Sequence, residues 1–191
     1  MVTGPALKLR IESMRVADIP AVHGIERASF PLPWPDYAFR QELETNRLAR
    51  YLVARLDDLI VAYAGVWLMV GEAHITTFAV LPEYRRQGIG AQLLLAVLDL
   101  ADEMGANVAT LEVRLSNLAA RRLYGRFGLK PVGLRPRYYS DNGEDALIMT
   151  SDPLASRSMR ERLSRLRREV SEHGRPVGPE GKGRTSSGRP S

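Results

Sequence analysis

Residues 78–94 read Phe-Ala-Val-Leu-Pro-Glu-Tyr-Arg-Arg-Gln-Gly-Ile-Gly-Ala-Gln-Leu-Leu. A β-rich run stops at a proline, a basic loop with glycines at 88 and 90 follows, and an apolar helical pattern begins. A loop of this kind aims backbone N–H groups at one point in front of a helix N-terminus, which suits a phosphate or pyrophosphate. Two nucleotide motifs fail here. A P-loop needs Lys-Ser/Thr after its second glycine, and none is present. A dinucleotide fingerprint needs a small residue three positions beyond its second glycine, where this chain has Leu93. ATP hydrolysis and nicotinamide redox chemistry therefore lose support, while a tight strand-to-helix connection without a ligand stays open.

Working outward, Leu7–Glu12 alternates as a first strand. Asp18 is placed to cap a helix running to about Ala28, with Pro20 in its first turn. Three prolines in Phe30–Pro35 forbid regular structure, and a second helix runs from about Asp36 to Asn46. Arg50–Arg55 and Ile60–Val70 flank the turn Asp57-Asp58, and Ala73–Val80 leads into the glycine loop. Gly88–Met104 reads as an apolar helix closed by Gly105, and Val108–Leu115 as a strand. Ser116 or Asn117 caps a helix to about Phe127, closed by Gly128. Leu129–Tyr139 and Asp145–Thr150 are the last β-rich runs, joined by the turn at 140–143. The order β-α-α-β-β-β-α-β-α-β-β predicts one α/β domain over residues 1–150, with a mixed, mostly antiparallel sheet and helices on both faces.

The 191 residues are 45% hydrophobic, enough for a core, and the net charge is +5. All of that excess lies in residues 151–191, which hold ten Arg/Lys and five Asp/Glu. This basic extension divides in two. Met159, Leu163, Leu166 and Val170 form a narrow apolar stripe on a helix over about 157–172, with Ser158-x-x-Glu161 as its capping signal. After Gly174 the Gly/Pro/Ser/Arg composition predicts disorder. The stripe can dock on its own domain, or the arginines can contact ribosomal RNA or an acidic partner. No apolar run is long enough to span a bilayer and no signal-peptide core precedes residue 15, so a soluble cytoplasmic protein is expected. The absence of cysteine removes disulfides and a cysteine nucleophile; His23, His74 and His173 lack ligand spacing, so no metal is expected.

A second informative stretch is Leu111-Glu-Val-Arg-Leu-Ser-Asn117, followed by Leu123-Tyr124-x-x-Phe127-Gly128. Glu112 sits on the strand after the loop's helix, and such a strand commonly lies beside the one before it. A partly buried carboxylate there can have a raised pKa and act as a general base. By period two, Glu112 equally belongs to a polar sheet side with Val108, Thr110 and Arg114. Tyr124 can donate a proton to a departing thiolate, or can be core on the stripe Ala120, Leu123, Tyr124, Phe127.

These stretches carry a family resemblance. Ile25-Glu26-x-x-x-Phe30-Pro31 with Pro33-Trp34, the run from Phe78 to Gly90, Leu111–Asn117, Leu123-Tyr124, Arg137-x-Tyr139 and Glu144–Met149 occur in family order. Over residues 7–150 the chain resembles a GCN5-related N-acetyltransferase of the kind that acetylates protein N-termini. The resemblance implies acetyl-CoA as cosubstrate and no metal. It implies coenzyme-A contacts at Phe78, Ala79, Val80, Arg85, Arg86, Gln87, Gly88, Ile89, Gly90, Ala91 and Asn117. It also implies Glu112 as base and Tyr124 as acid in direct transfer to an α-amine. Phe30, Pro31, Trp34, Tyr138 and Tyr139 would shape the acceptor groove, with a protein N-terminus, in this group a ribosomal protein, as acceptor. A lysine, polyamine or small-molecule amine acceptor, or a non-catalytic coenzyme-A-binding module on the ribosome, are the alternatives.

Overall fold

The structure, a computed structural model, describes residues 8–173. Strands β1 (Leu9–Ser13), β2 (Ala49–Leu56), β3 (Leu59–Met69), β4 (Glu72–Val80), β5 (Val108–Arg114), β6 (Leu129–Arg135) and β7 (Ala146–Ser151) form one sheet, ordered β1-β2-β3-β4-β5-β7-β6. Among the described strands only β4 and β5 pair in parallel; the other neighbours are antiparallel. The helices are α1 (Ile19–Ser29), α2 (Asp36–Glu44), α3 (Ile89–Glu103), α4 (Leu118–Arg126) and α5 (Arg157–His173). The mixed, mostly antiparallel sheet with helices on both faces is the expected class.

Alternation along β2 divides the core. Leu52, Ala54 and Leu56 join the apolar face of α3 (Leu93, Leu94, Val97, Leu98) in one cluster. Tyr51 and Val53 join Val22 and Ile25 of α1 and Phe39 of α2 in the other. β3 is buried from Ile60 to Val66, as a central strand covered on both faces must be. Gly65 on β3 is needed for space: a Cβ there would lie 2.4 Å from Tyr51 Cε1. Met159, Leu163 and Leu166 place α5 in the α3 cluster. Ion pairs hold α5 there too: its Arg167 pairs with Asp99 of α3, and its Glu169 with Arg126 of α4 at 2.6 Å.

Several local expectations change. Asp18 makes no capping bond to α1; its carboxylate accepts from Arg15 N and the Arg55 guanidinium, both at 2.9 Å. Ser156, not Ser158, caps α5, its hydroxyl accepting from Met159 N at 3.3 Å. The run expected to reach Tyr139 stops at Arg135, because Pro136 has no N–H to continue the ladder. Residues 136–145 form a loop instead. The disorder expected after Gly174 lies outside the described residues.

Candidate active site

Two features of β4 open the site. β4 and β5 stay paired only at Glu72–Val108, Ala73–Ala109 and His74–Thr110. Beyond His74 they diverge, and the β5-facing edge of β4 has no strand partner. At the divergence the β3–β4 register slips: Gly65 pairs Thr77 and Val66 pairs Ile75, leaving Thr76 as an extra residue. A bulge bends its strand, and bulges concentrate beside active sites. The resulting cleft, about 520 Å³, is lined from β4 by Ile75–Phe78, from β5 by Leu111–Arg114 and from α4 by Tyr124. Asn117, Glu26, Ser29, the 30–34 loop and Tyr138–Asp141 complete it.

Of the residues singled out in the sequence, Glu112, Tyr124, Phe78, Asn117, Phe30, Pro31, Trp34, Tyr138 and Tyr139 meet in this one cleft. Ala79 and Val80 continue β4 beyond it, Arg85–Gly88 form the turn into α3, and Ile89–Ala91 are its first residues. Asn117 has a structural task as well, its side-chain oxygen capping α4 through Ala120 N at 3.1 Å. In the turn, Arg86 and Gly88 both take left-handed φ, 64° and 79°. That alternation curls successive N–H groups into an anion-binding concavity. Gly88 stands at the N-cap of α3 with no side-chain cap, so no cap side chain competes for the first-turn N–H groups. Arg85 is not simply a free charge: its Nε donates to Val80 O at 2.9 Å and ties the turn to β4. An uncapped helix start, a curled turn and an unpaired strand edge fit a pyrophosphate with an extended amide arm, the parts of coenzyme A.

Glu112 is held by two donors. His74 Nε2 lies 2.6 Å from one carboxylate oxygen, and Arg135 Nε donates to the other at 2.9 Å. The side chain is only 8% exposed. The hydrogen bond and electrostatic attraction of His74, then those of Arg135, hold its pKa below the ordinary carboxylate value. The raised pKa anticipated for a half-buried strand carboxylate is thus reversed: burial acts upward, and the two partners outweigh it. Tyr124 is the opposite case. It is 6% exposed, stacks edge-on with Phe78 at 6.0 Å and has its pKa pushed up by burial. Among the described residues its hydroxyl makes no hydrogen bond, and it lines the cleft.

Two residues that support the site had no role assigned from sequence, although Glu26 stands in the motif that begins at Ile25. Glu26 is 3% exposed; it accepts from Trp34 N at 2.9 Å and from the Tyr63 hydroxyl. Tyr63 also meets Thr77 Oγ1 at 2.8 Å. One buried carboxylate therefore joins α1 to the 30–34 loop and to β3, and through Tyr63 to β4. Its signal was available: Glu26 falls on the buried face of α1 with Val22 and Ile25. His74 carried no such signal, because its role depends on parallel pairing with β5.

The Acetyltransferase (GNAT) family model matches residues 19–129. A Bacillus subtilis (strain 168) protein named "Putative ribosomal protein bS18-alanine N-acetyltransferase" is 44% identical over 142 residues, 74% of this chain and 94% of that protein. The ribosomal protein bS18-alanine N-acetyltransferase of Escherichia coli (strain K12) is 36% identical over 143 residues, 73% and 94% of the two chains. The crystal structure of the ribosomal-protein-S18-alanine N-acetyltransferase from Escherichia coli superimposes with a TM-score of 0.71 at 31% identity, covering 78% of this chain and 96% of that one.

Proposed function

We propose that this chain, which belongs to the acetyltransferase (GNAT) family, transfers an acetyl group from acetyl-CoA to the α-amino group of a protein N-terminus. The relatives named above make a ribosomal protein beginning with alanine the first acceptor to test. The observation that carries the reading is one cleft lined by a carboxylate, Glu112, bound by His74 and Arg135, and by a phenol, Tyr124, whose hydroxyl has no hydrogen-bond partner among the described residues.

Acetyl-CoA supplies the acetyl thioester. The turn Arg85–Gly88 and the start of α3 hold its pyrophosphate, and the open edge of β4 at Phe78–Val80 holds its amide arm. Backbone N–H groups near Ala79–Val80 polarise the thioester carbonyl. Glu112 takes the proton of the acceptor ammonium, directly or through water, as the amine nitrogen bonds to the acetyl carbon. The carbon–sulfur bond breaks, and Tyr124 gives its proton to the departing sulfur. Phe30, Pro31 and Trp34 on one side and Tyr138 and Tyr139 on the other flank the acceptor's first residues. No covalent enzyme intermediate is needed.

The test is acetyl transfer to peptides starting with Ala or Ser, set against the same peptides blocked at the α-amine and carrying a free lysine. Transfer to the free N-termini is expected. Transfer to the blocked peptides alone moves the acceptor to a side-chain amine and ends the N-terminal reading.

A further inference from the structure

Arg114 ends β5 two residues beyond Glu112, so the two side chains leave the strand on the same face. Its guanidinium is three-quarters buried and turned into the 136–145 loop. Nη2 donates to Asp141 Oδ1 at 2.8 Å, and Nη1 to Asn142 Oδ1 at 3.1 Å and Glu144 Oε2 at 3.3 Å. The plane lies under the Tyr139 ring, 3.9 Å from its centroid. Glu144 uses its other oxygen to accept from Ser116 N at 2.8 Å. Backbone bonds Tyr139 N to Glu144 O, at 3.1 Å, and Gly143 N to Tyr139 O, at 2.7 Å, close the turn. Tyr139 meets Tyr138 edge-on at 5.2 Å, Tyr138 lies over Arg135, and Arg135 binds Glu112. The contacts thus run in a ring from the carboxylate through both tyrosines to Arg114 and back along β5.

We propose that Arg114 is a positioning residue that sets the tyrosine wall of the acceptor groove, and that it governs acceptor affinity rather than coenzyme-A affinity. The proposal rests on the acyl transfer proposed above. The loop has no ladder of its own between Arg135 and Ala146, so something must fix two large rings over the cleft. A planar guanidinium can serve three acceptors at its edge while its face supports a ring; an ammonium, with three rotatable donors on one atom, has neither the rigid fork nor the flat face. The partners of Arg114 all lie on the acceptor side, and none belongs to the segment 85–91.

The test combines kinetics with amide hydrogen exchange on the full chain, for Arg114→Lys and Arg114→Ala. The KM for an alanine-starting peptide should rise about tenfold or more in Arg114→Ala, the scale of losing charge-assisted contacts. Arg114→Lys should recover part of the loss. The KM for acetyl-CoA should stay within about twofold. Exchange in 136–145 should accelerate in both variants while 108–113 stays protected, which also reports that each variant folds. An unchanged peptide KM, or a parallel rise for acetyl-CoA, overturns the proposal. If the wild-type chain acetylates no N-terminal peptide, the functional reading falls. Exchange alone then judges Arg114: acceleration in 136–145 upholds its hold on the loop, and unchanged exchange removes it.

Discussion

Replacing Tyr124 with Phe removes one oxygen and leaves the rest of the packing in place. Tyr124 is buried, and the edge-on contact of its ring with Phe78 needs no hydroxyl. Among the described residues that hydroxyl has no hydrogen-bond partner, so folding loses no bond when it goes. The hydroxyl opens on the cleft, so deleting it leaves no buried donor or acceptor unpaired, and stability should change by no more than about 0.5 kcal/mol. For a chain of this length that is a shift in Tm of about 2 °C at most. Catalysis should respond on another scale. General acid catalysis is worth about 10²–10⁴-fold, or about 2.7–5.4 kcal/mol of barrier. Burial raises the Tyr124 pKa, so the phenol stays protonated through neutral pH and its ionisation puts no descending limb on the wild-type profile below about pH 10. The assays are thermal unfolding and steady-state acetyl transfer, with coenzyme-A binding by calorimetry as a control. A large fall in Tm would mean that the hydroxyl has a structural partner. An unchanged kcat at unchanged Tm would remove Tyr124 as the proton donor.

Glu112→Gln should lower kcat by about 10²–10⁴-fold with little change in acetyl-CoA affinity; equal loss of binding and turnover would make Glu112 a structural residue. The same substitution has a stability signature. The folded pKa of Glu112 is depressed, so its contribution is present above the ordinary 4.5 and is lost as pH falls through the lower folded value. The Tm gap between wild type and Glu112→Gln should therefore be full at pH 7 and close in acid; a gap that widens below pH 4 contradicts the assigned ion pairs. Gly65→Ala forces a methyl to within 2.4 Å of the Tyr51 ring and should cost about 1–3 kcal/mol; an unchanged Tm would show that the strands can part there. Leu166→Ala empties a side chain that is 2% exposed; it should cost about 2–5 kcal/mol, or roughly 4–20 °C of Tm. If α5 only frays, near-UV signals of the core will stay while helix content falls.

The element order was legible because the elements are local. The stripe of α3, the proline-broken loop at 30–35 and the glycines at 105 and 128 mark boundaries without help from tertiary contacts. What the sequence left hidden depends on pairing. Nothing in Ala73–Val80 says that β4 abandons β5 after three residues or that Thr76 is bulged, yet those two facts make the cleft. The pKa of Glu112 was misjudged for the same reason. Burial could be read from the strand, but His74 reaches Glu112 across a parallel pair and Arg135 from β6 across β7, and no spacing in the chain encodes either contact. Asp18 shows the same limit on a smaller scale: a residue with the identity and position of a cap was recruited by Arg55 of β2 instead.

The reversal at Glu112 bears on which amine the cleft can use. A carboxylate engaged at both oxygens and depressed below its ordinary pKa is a modest base, and it cannot draw a proton from an ammonium against a steep gradient. At pH 7 an α-amine of pKa about 7.8 is already deprotonated in about one molecule in seven, whereas a lysine of pKa about 10.4 is so in about one in 2,500. The proton transfer asked of Glu112 is smaller by about 2.6 pKa units for an N-terminus, or about 3.5 kcal/mol. On the proposed mechanism, the low pKa that His74 and Arg135 give the carboxylate has a second use: a charged Glu112 would attract an acceptor ammonium into the cleft before accepting its proton. Raising the basicity of Glu112 would weaken that attraction at neutral pH, because part of the carboxylate would then be protonated. A low-pKa carboxylate is therefore suited to an acceptor that arrives charged and releases its proton easily, and among protein amines that is the N-terminus.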